Sequence, residues 1–179
     1  MLTAALPYPV PLCVTLLAIV AASTDLASRR IPNRVVAVGL AGALIAQCAL
    51  HGVAAGTAGW LAGAATGFGL LLPFYLLRGM AAGDVKLMLA VGAWVGPAMA
   101  FRIVLAAFVL GGIGAVGFAI AHGRLRQMAA NVRALIMRRP GRPRAATADG
   151  HGPFESVGTL PYGVAIAAGT LGMLLVSGA

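Results

Sequence analysis

Acidic side chains are what this sequence most lacks. Asp25, Asp84, Asp149 and Glu155 are its four carboxylates, against 13 Lys and Arg in 179 residues. Charged residues of both signs make up 9% of the chain, whereas soluble domains carry about 25%. That shortage excludes a soluble globular domain, which needs a polar shell. Cysteine is nearly absent too. Cys13 and Cys48 lie inside apolar blocks without metal-type spacing, so they read as buried apolar residues with no disulfide or zinc framework. His51, His122 and His151 fall in loops far apart in sequence, which leaves no ligand cluster; neither a metal nor a cofactor is expected.

What the chain does have is apolar sequence. Hydrophobic residues make up 60% of it, in long blocks separated by short polar stretches. That pattern predicts an all-α, polytopic membrane protein. Six spans are expected, at Pro9–Ala27, Val35–Leu50, Val53–Leu77, Val85–Gly96, Ala100–Ala121 and Leu160–Ser177. A span needs about 20 residues, so the second and fourth are short. The first block has no basic stretch before it; Arg29 and Arg30 follow it instead, so it is expected to stay attached as a helix.

The basic residues set an orientation. Arg29, Arg30 and Arg34 lie between the first two spans, and Arg78 and Lys86 between the third and fourth. Arg124, Arg126, Arg133, Arg138, Arg139, Arg142 and Arg144 lie between the fifth and sixth, and Arg102 alone falls on the other side. By the positive-inside rule the arginine-bearing side is cytoplasmic and both termini are outside. In a chain this apolar, the net charge of +9 reads as topology signal and contact with anionic lipid rather than nucleic acid binding. The whole chain, 1–179, is expected to form one transmembrane domain with an Arg-rich cytoplasmic loop at about 122–158.

Two further patterns concern packing and surfaces. Gly52 and Gly56, then Gly59, Gly63 and Gly67, fall along one helical face, which suits close packing inside the monomer or, less simply, a dimer interface. In the cytoplasmic segment, Leu125, Met128, Ala129, Val132, Leu135 and Ile136 share a face that Arg126 and Arg133 avoid. An amphipathic helix at the membrane surface is expected there, followed by a Pro-, Gly- and Arg-rich loop.

An acid at the edge of an apolar span is costly enough to need a reason. Asp84 sits at the cytoplasmic start of the fourth span and Asp25 near the cytoplasmic end of the first, so two antiparallel helices bring two carboxylates to similar depth. Such a pair cannot both ionise cheaply and tends to share one proton. The ionised member can take a proton from an attacking water while the protonated one donates to a peptide carbonyl, as in an aspartic protease. Each also has a bland use: Asp84 as a helix cap, Asp25 as the partner of Arg29. Their matched depth favours function, since intramembrane acids usually face a cavity or a partner. Ser23, Thr24 and Ser28 lie near Asp25, but none forms a convincing Ser–Lys spacing with Lys86.

Three stretches now carry a resemblance. DLASRRIPN from Asp25 to Asn33, GDVKL from Gly83 to Leu87, and LPYGVAIAAG from Leu160 to Gly169 are similar, in order, to motifs of bacterial type IV prepilin peptidases. The length and six blocks resemble the short subgroup serving Flp-type (Tad) pili. The resemblance implies an inner-membrane aspartic endopeptidase that removes the basic leader of prepilins or pseudopilins at the cytoplasmic face, leaving their apolar helix in the lipid. It implies Asp25 and Asp84 as the catalytic pair. Pro32 and Asn33 would shape the loop after the first aspartate, Gly83 would precede the second, and Lys86 would sit close enough to influence its charge. Two departures stand out. Ala81 occupies the place of a common glycine, and the cysteine pairs of longer, methylating relatives are missing, so methylation is not expected.

The rival readings are a small proton-coupled transporter using both aspartates and a non-enzymatic pilus assembly factor acting through the Arg-rich loop. A transporter should show acids near the bilayer midplane and an internal repeat, and the sequence has neither.

Overall fold

The structure, a computed structural model, describes residues 7–28, 31–77, 80–136 and 162–178. Among these residues are seven α-helices: α1 (Val10–Ser28), α2 (Asn33–His51), α3 (Val53–Leu76), α4 (Ala82–Val95), α5 (Pro97–Ala121), α6 (Leu125–Ile136) and α7 (Tyr162–Val176). Four of them, α1, α2, α3 and α5, are long and apolar enough to cross a membrane. The chain is thus an all-α, multi-pass membrane protein. Arg29, Arg30, Arg78 and the whole of 137–161, with Asp149 and Glu155, lie outside the described residues.

Helix bounds follow the apolar blocks to within three residues; α4 starts at Ala82 rather than Val85, so Asp84 falls inside it, and two other shifted starts have a visible cause. The second helix starts at Asn33 rather than Val35, because Pro32 is held in extended geometry and its carbonyl accepts the Val35 N–H at 3.0 Å. The fifth starts at Pro97 rather than Ala100. Gly96, at φ 78°, ends α4 in a conformation that favours glycine, and a proline is well tolerated at the first helical position that follows. Gly52, at φ 80°, makes a similarly abrupt join between α2 and α3.

At 1.5 Å per residue, the fourteen residues of α4 reach about 21 Å, short of a hydrocarbon core of about 30 Å. Its surroundings explain how so short a helix is accommodated. Ten of its residues are buried, and it packs against α1, α2, α3 and α7. Its backbone meets protein rather than lipid. The last carbonyls of any helix lack intrahelical donors; here the buried Gln47 of α2 reaches across, its Nε2 donating to Trp94 O at 2.9 Å. The Trp60 indole N–H of α3 donates to Leu40 O at 3.0 Å. Such cross-helix bonds contribute about 0.6–2 kcal/mol each in a bilayer. Outward-facing side chains such as Leu16, Ile45, Leu61 and Leu105 are exposed, as lipid-facing positions should be. Cys13 and Cys48 are free and only half-buried, not fully buried as their apolar setting suggested.

The glycine face is divided in its use. At Gly63 a Cβ would collide with Gly92 O, and at Gly67 with Met88 O, so α3 and α4 touch backbone to backbone. Gly56 meets the backbone of α2 at Gln47 and Cys48 in the same way. At Gly52 and Gly59 a Cβ would meet nothing within 4 Å. Three of the five glycines are therefore packed inside the fold and two are open. Gly63→Ala is accordingly expected to destabilise the protein by about 1–3 kcal/mol through overpacking. Gly59→Ala is expected to be neutral or to gain up to about 1 kcal/mol of helix preference. Thermal unfolding in detergent checks both. Equal stability of the two variants would remove the close-packing account of α3 and α4.

Contacts divide the chain into two compact units, Met1–Gly111 with Pro161–Ala179, and Gly112–Leu160. Within the second, the end of α5 turns through Gly123, where the Arg124 N–H donates to Ala119 O at 2.8 Å, and His122 stacks on Phe118 with centroids 4.0 Å apart. The expected amphipathic segment is helical, as α6. Leu125 and Val132 are exposed along it, as are Arg126 and Arg133.

Candidate active site

The first unit brings the end of α1, the entry to α2 and the start of α4 together. Asp25 lies one turn from the end of α1 and Asp84 in the first turn of α4. Both are buried, at 8% and 4% exposure, and among the described residues no other charged side chain is. Both line one cavity of about 430 Å³, together with Ile31, Pro32, Asn33, Ala81, Ala82, Gly83 and Lys86. That volume falls in the range of about 300–1,000 Å³ common for ligand sites. The two carboxylates are near enough for the charge of Asp25 to act on Asp84. All six residues singled out in the sequence (Asp25, Pro32, Asn33, Gly83, Asp84 and Lys86) thus border a single space.

Local structure explains each placement. Asp84 is the third residue of α4, counting from Ala82 after the N-cap Ala81. A carboxylate there is favoured by the helix dipole and can reach back to the N-cap N–H, and the Ala81 backbone is its hydrogen-bonding neighbour. The capping role considered for Asp84 and a role in the cavity therefore coexist. Ala81, where a glycine was the more familiar residue, sits at φ −77°, ψ 149°. Alanine adopts that extended geometry without strain. At Gly83 a Cβ would meet Ile31 at an ordinary 3.5 Å, so this glycine borders the cavity without being sterically required.

Lys86 is exposed, and its Nζ donates to Asn33 Oδ1 at 3.1 Å. This ties the first residue of α2 to the first turns of α4, both of them beside the cavity. The hydroxyls near Asp25 are turned back on their own helix. Ser23 Oγ donates to Val20 O at 2.9 Å, Thr24 Oγ1 to Ala21 O at 2.9 Å, and Ser28 Oγ to Thr24 O at 2.8 Å. None of these bonds links a hydroxyl to Lys86. Arg29, the helical partner considered for Asp25, lies outside the described residues. Among the described residues no three His, Cys, Asp or Glu side chains come together.

The partner that Asp25 does have comes from far along the chain. The Gly163 N–H, in the first turn of α7, donates to Asp25 Oδ2 at 3.0 Å in a buried position. The first N–H groups of a helix have no intrahelical acceptor and carry the positive end of its dipole, so they suit a carboxylate. The approach leaves no space for a side chain: a Cβ at Gly163 would stand 2.7 Å from Asp25 Oδ2. In the sequence this glycine belongs to the stretch LPYGVAIAAG, which by itself attaches no task to it. The only available signal was that motif, since nothing in hydropathy links residues 138 positions apart.

The arrangement has the parts that general acid–base chemistry needs: two interacting carboxylates, a space beside them and fixed orientation of one by a backbone donor. Compared with known proteins, residues 12–116 match the family model described as the type IV leader peptidase family. The match covers both aspartates. No curated protein and no solved structure matches the chain.

Proposed function

The chain belongs to the type IV leader peptidase family, whose model spans more than half of it, and from that premise we propose that it is an aspartic endopeptidase with Asp25 and Asp84 as its catalytic pair. Membership implies a peptidase acting on prepilins in a lipid environment. The finer proposal is cleavage of the leader of Flp-type prepilins or pseudopilins at the cytoplasmic face of a bacterial inner membrane. Its support is the order of the three motifs and the basic loops on one side. Residues 1–179 act as one transmembrane peptidase domain, with six crossings and both termini outside.

Asp25 and Asp84 carry the proposal, because their carboxylates line one cavity. In this mechanism one of the two carboxyls starts protonated and the other ionised. The ionised carboxylate removes a proton from water as its oxygen bonds to the scissile carbonyl carbon. The protonated carboxylate gives its proton to the carbonyl oxygen, forming a neutral gem-diol. When the C–N bond breaks, the leaving nitrogen takes the proton from the carboxyl that had deprotonated the water, and a gem-diol hydroxyl gives its proton to the other carboxylate as the carbonyl re-forms, so the pair returns to its starting state. The Gly163 N–H holds Asp25 in place throughout, and Pro32, Asn33, Gly83 and Lys86 border the space that the peptide enters.

Co-expression with a candidate prepilin tests the activity: the expected result is a gel-mobility shift that requires this chain. No shift, with both proteins in the membrane, would contradict it. The orientation has its own test. A cysteine at Arg142→Cys is expected to react with an impermeant thiol reagent only after the membrane is opened from the inside. Labelling from the outside alone would invert the topology and remove the basis for cytoplasmic cleavage.

A further inference from the structure

Asn33 and Lys86 reach the aspartate cavity from different helices. Asn33 is the first residue of α2, and Lys86 lies in the second turn of α4. Both line the cavity that holds Asp25 and Asp84, and both side chains are exposed, so a ligand in that space can touch them. Among the nine lining residues they alone carry side-chain N–H groups. The others offer carboxylates, apolar side chains or, at Gly83, no side chain. A peptide entering this space gives up water at its backbone carbonyls, and a carbonyl left without a donor is costly.

The contact between the two side chains decides which way the Asn33 amide faces. Lys86 Nζ donates to Asn33 Oδ1 at 3.1 Å. An ammonium has three N–H donors and no acceptor, so only the oxygen of the amide can face it. The Nδ2 end is thereby turned away from Lys86, with neither of its N–H groups spent on that contact. Among the described residues it has no other hydrogen-bond partner.

We propose that the Asn33 side-chain amide is a substrate-binding donor, giving a hydrogen bond to a backbone carbonyl of the bound peptide, with Lys86 as the positioning residue that fixes the amide. This role rests on the endopeptidase reading above. A planar amide held at its oxygen presents its N–H groups in a set direction, so it loses little freedom when the peptide binds. Lys86 is the less suited donor. Its four-carbon stem is flexible, its ammonium acts as a point charge, and one of its N–H groups is already given to Asn33. A backbone carbonyl is present at every position of a peptide, so this bond would orient the chain without reading its side chains.

Asn33→Asp separates the donor from the link. Its carboxylate still accepts from Lys86 but has no N–H to give. In purified protein in detergent, with rates taken per folded molecule, kcat/KM on a prepilin is expected to fall roughly tenfold at every pH, the usual scale for one lost hydrogen bond to substrate. Parental kcat/KM would overturn the proposal. So would a loss recovered at another pH, which would trace the effect to the new charge beside the aspartates. Lys86→Met leaves Asn33 its donors but frees the amide to turn over. A smaller loss, roughly two- to fivefold and carried by KM, is expected, because only part of the population then faces the peptide correctly. Parental kcat/KM in Lys86→Met would remove the positioning role, and a loss as large as that of Asn33→Asp would make Lys86 itself the peptide's partner; either overturns the proposal. Asp25→Asn and Asp84→Asn, measured alongside, keep the two levels of inference apart. If they are inactive while Asn33→Asp cleaves normally, the peptidase reading stands and the Asn33 role falls. If they cleave, or the parent protein does not, that reading falls and takes the Asn33 role with it.

Discussion

Asp25→Asn and Asp84→Asn are each expected to reduce leader cleavage on the order of 10⁴-fold or more, with the double variant little worse than either single one. Asparagine keeps the size and much of the hydrogen-bonding capacity of aspartate but cannot cycle a proton. If the two groups act as one unit, removing either removes the shared proton's path, and nothing remains for the second substitution to destroy. Protein level and membrane insertion are expected to be nearly unchanged, since an acid at the membrane edge contributes little to folding. A purely capping Asp84 would behave differently: its loss would lower stability by about 0.5–2 kcal/mol, and cleavage would follow abundance. Asp149→Asn and Glu155→Gln serve as controls expected to cleave normally. Measuring processed and unprocessed prepilin by gel, normalised to enzyme level, distinguishes these outcomes. Additive losses from the two aspartates would show that they do not form a pair.

Gly163→Ala is expected to produce the second large loss, about 10²-fold in cleavage, the scale reached when a reacting group is misplaced by about 1 Å. The new methyl would stand 2.7 Å from Asp25 Oδ2 and 3.1 Å from its Cγ, closer than carbon and oxygen can pack. Either the carboxylate turns away from its N–H donor or α7 shifts from α1, against which it packs. Helix propensity cannot be the cause of such a loss, because alanine is the better helix former. Gly83→Ala, at a glycine that lines the cavity, offers the contrast. Its methyl would touch Ile31 at 3.5 Å, an ordinary contact, so most cleavage is expected to remain. Similar losses in both variants would mean that contact with Asp25 is not what makes Gly163 necessary.

How far the sequence revealed this site depends on the kind of signal involved. The helices were legible because apolar blocks of 19 to 25 residues have few other uses, and α4 was legible as short because Gly83-Asp84 and Gly96-Pro97 bracket it. The aspartates stood out because a chain with four acids places two of them at span edges. Depth along the membrane could thus be inferred, whereas facing could not. Hydropathy is nearly uniform around α4, so no periodicity announced that it would be the most enclosed helix. The Gly163–Asp25 bond was likewise invisible, because it joins the last helix to the first and uses a backbone atom that every residue but proline possesses. The link between Lys86 and Asn33 was missed for a different reason: two exposed polar residues 53 positions apart leave no pattern in composition or spacing. The glycine face was legible as a packing surface, but which glycines pack inward depended on how α2 and α4 lie against α3.

The claim that Asp25 and Asp84 together cleave a prepilin leader is tested most directly by intact-mass spectrometry. Purified protein in detergent is incubated with a full-length prepilin, beside the Asp84→Asn variant at equal concentration and equal folded fraction. The predicted result is a single new species from the parent protein, lighter than the prepilin by the mass of one N-terminal leader, and only unprocessed prepilin from the variant. The same truncated species formed at a comparable rate by Asp84→Asn would contradict the account.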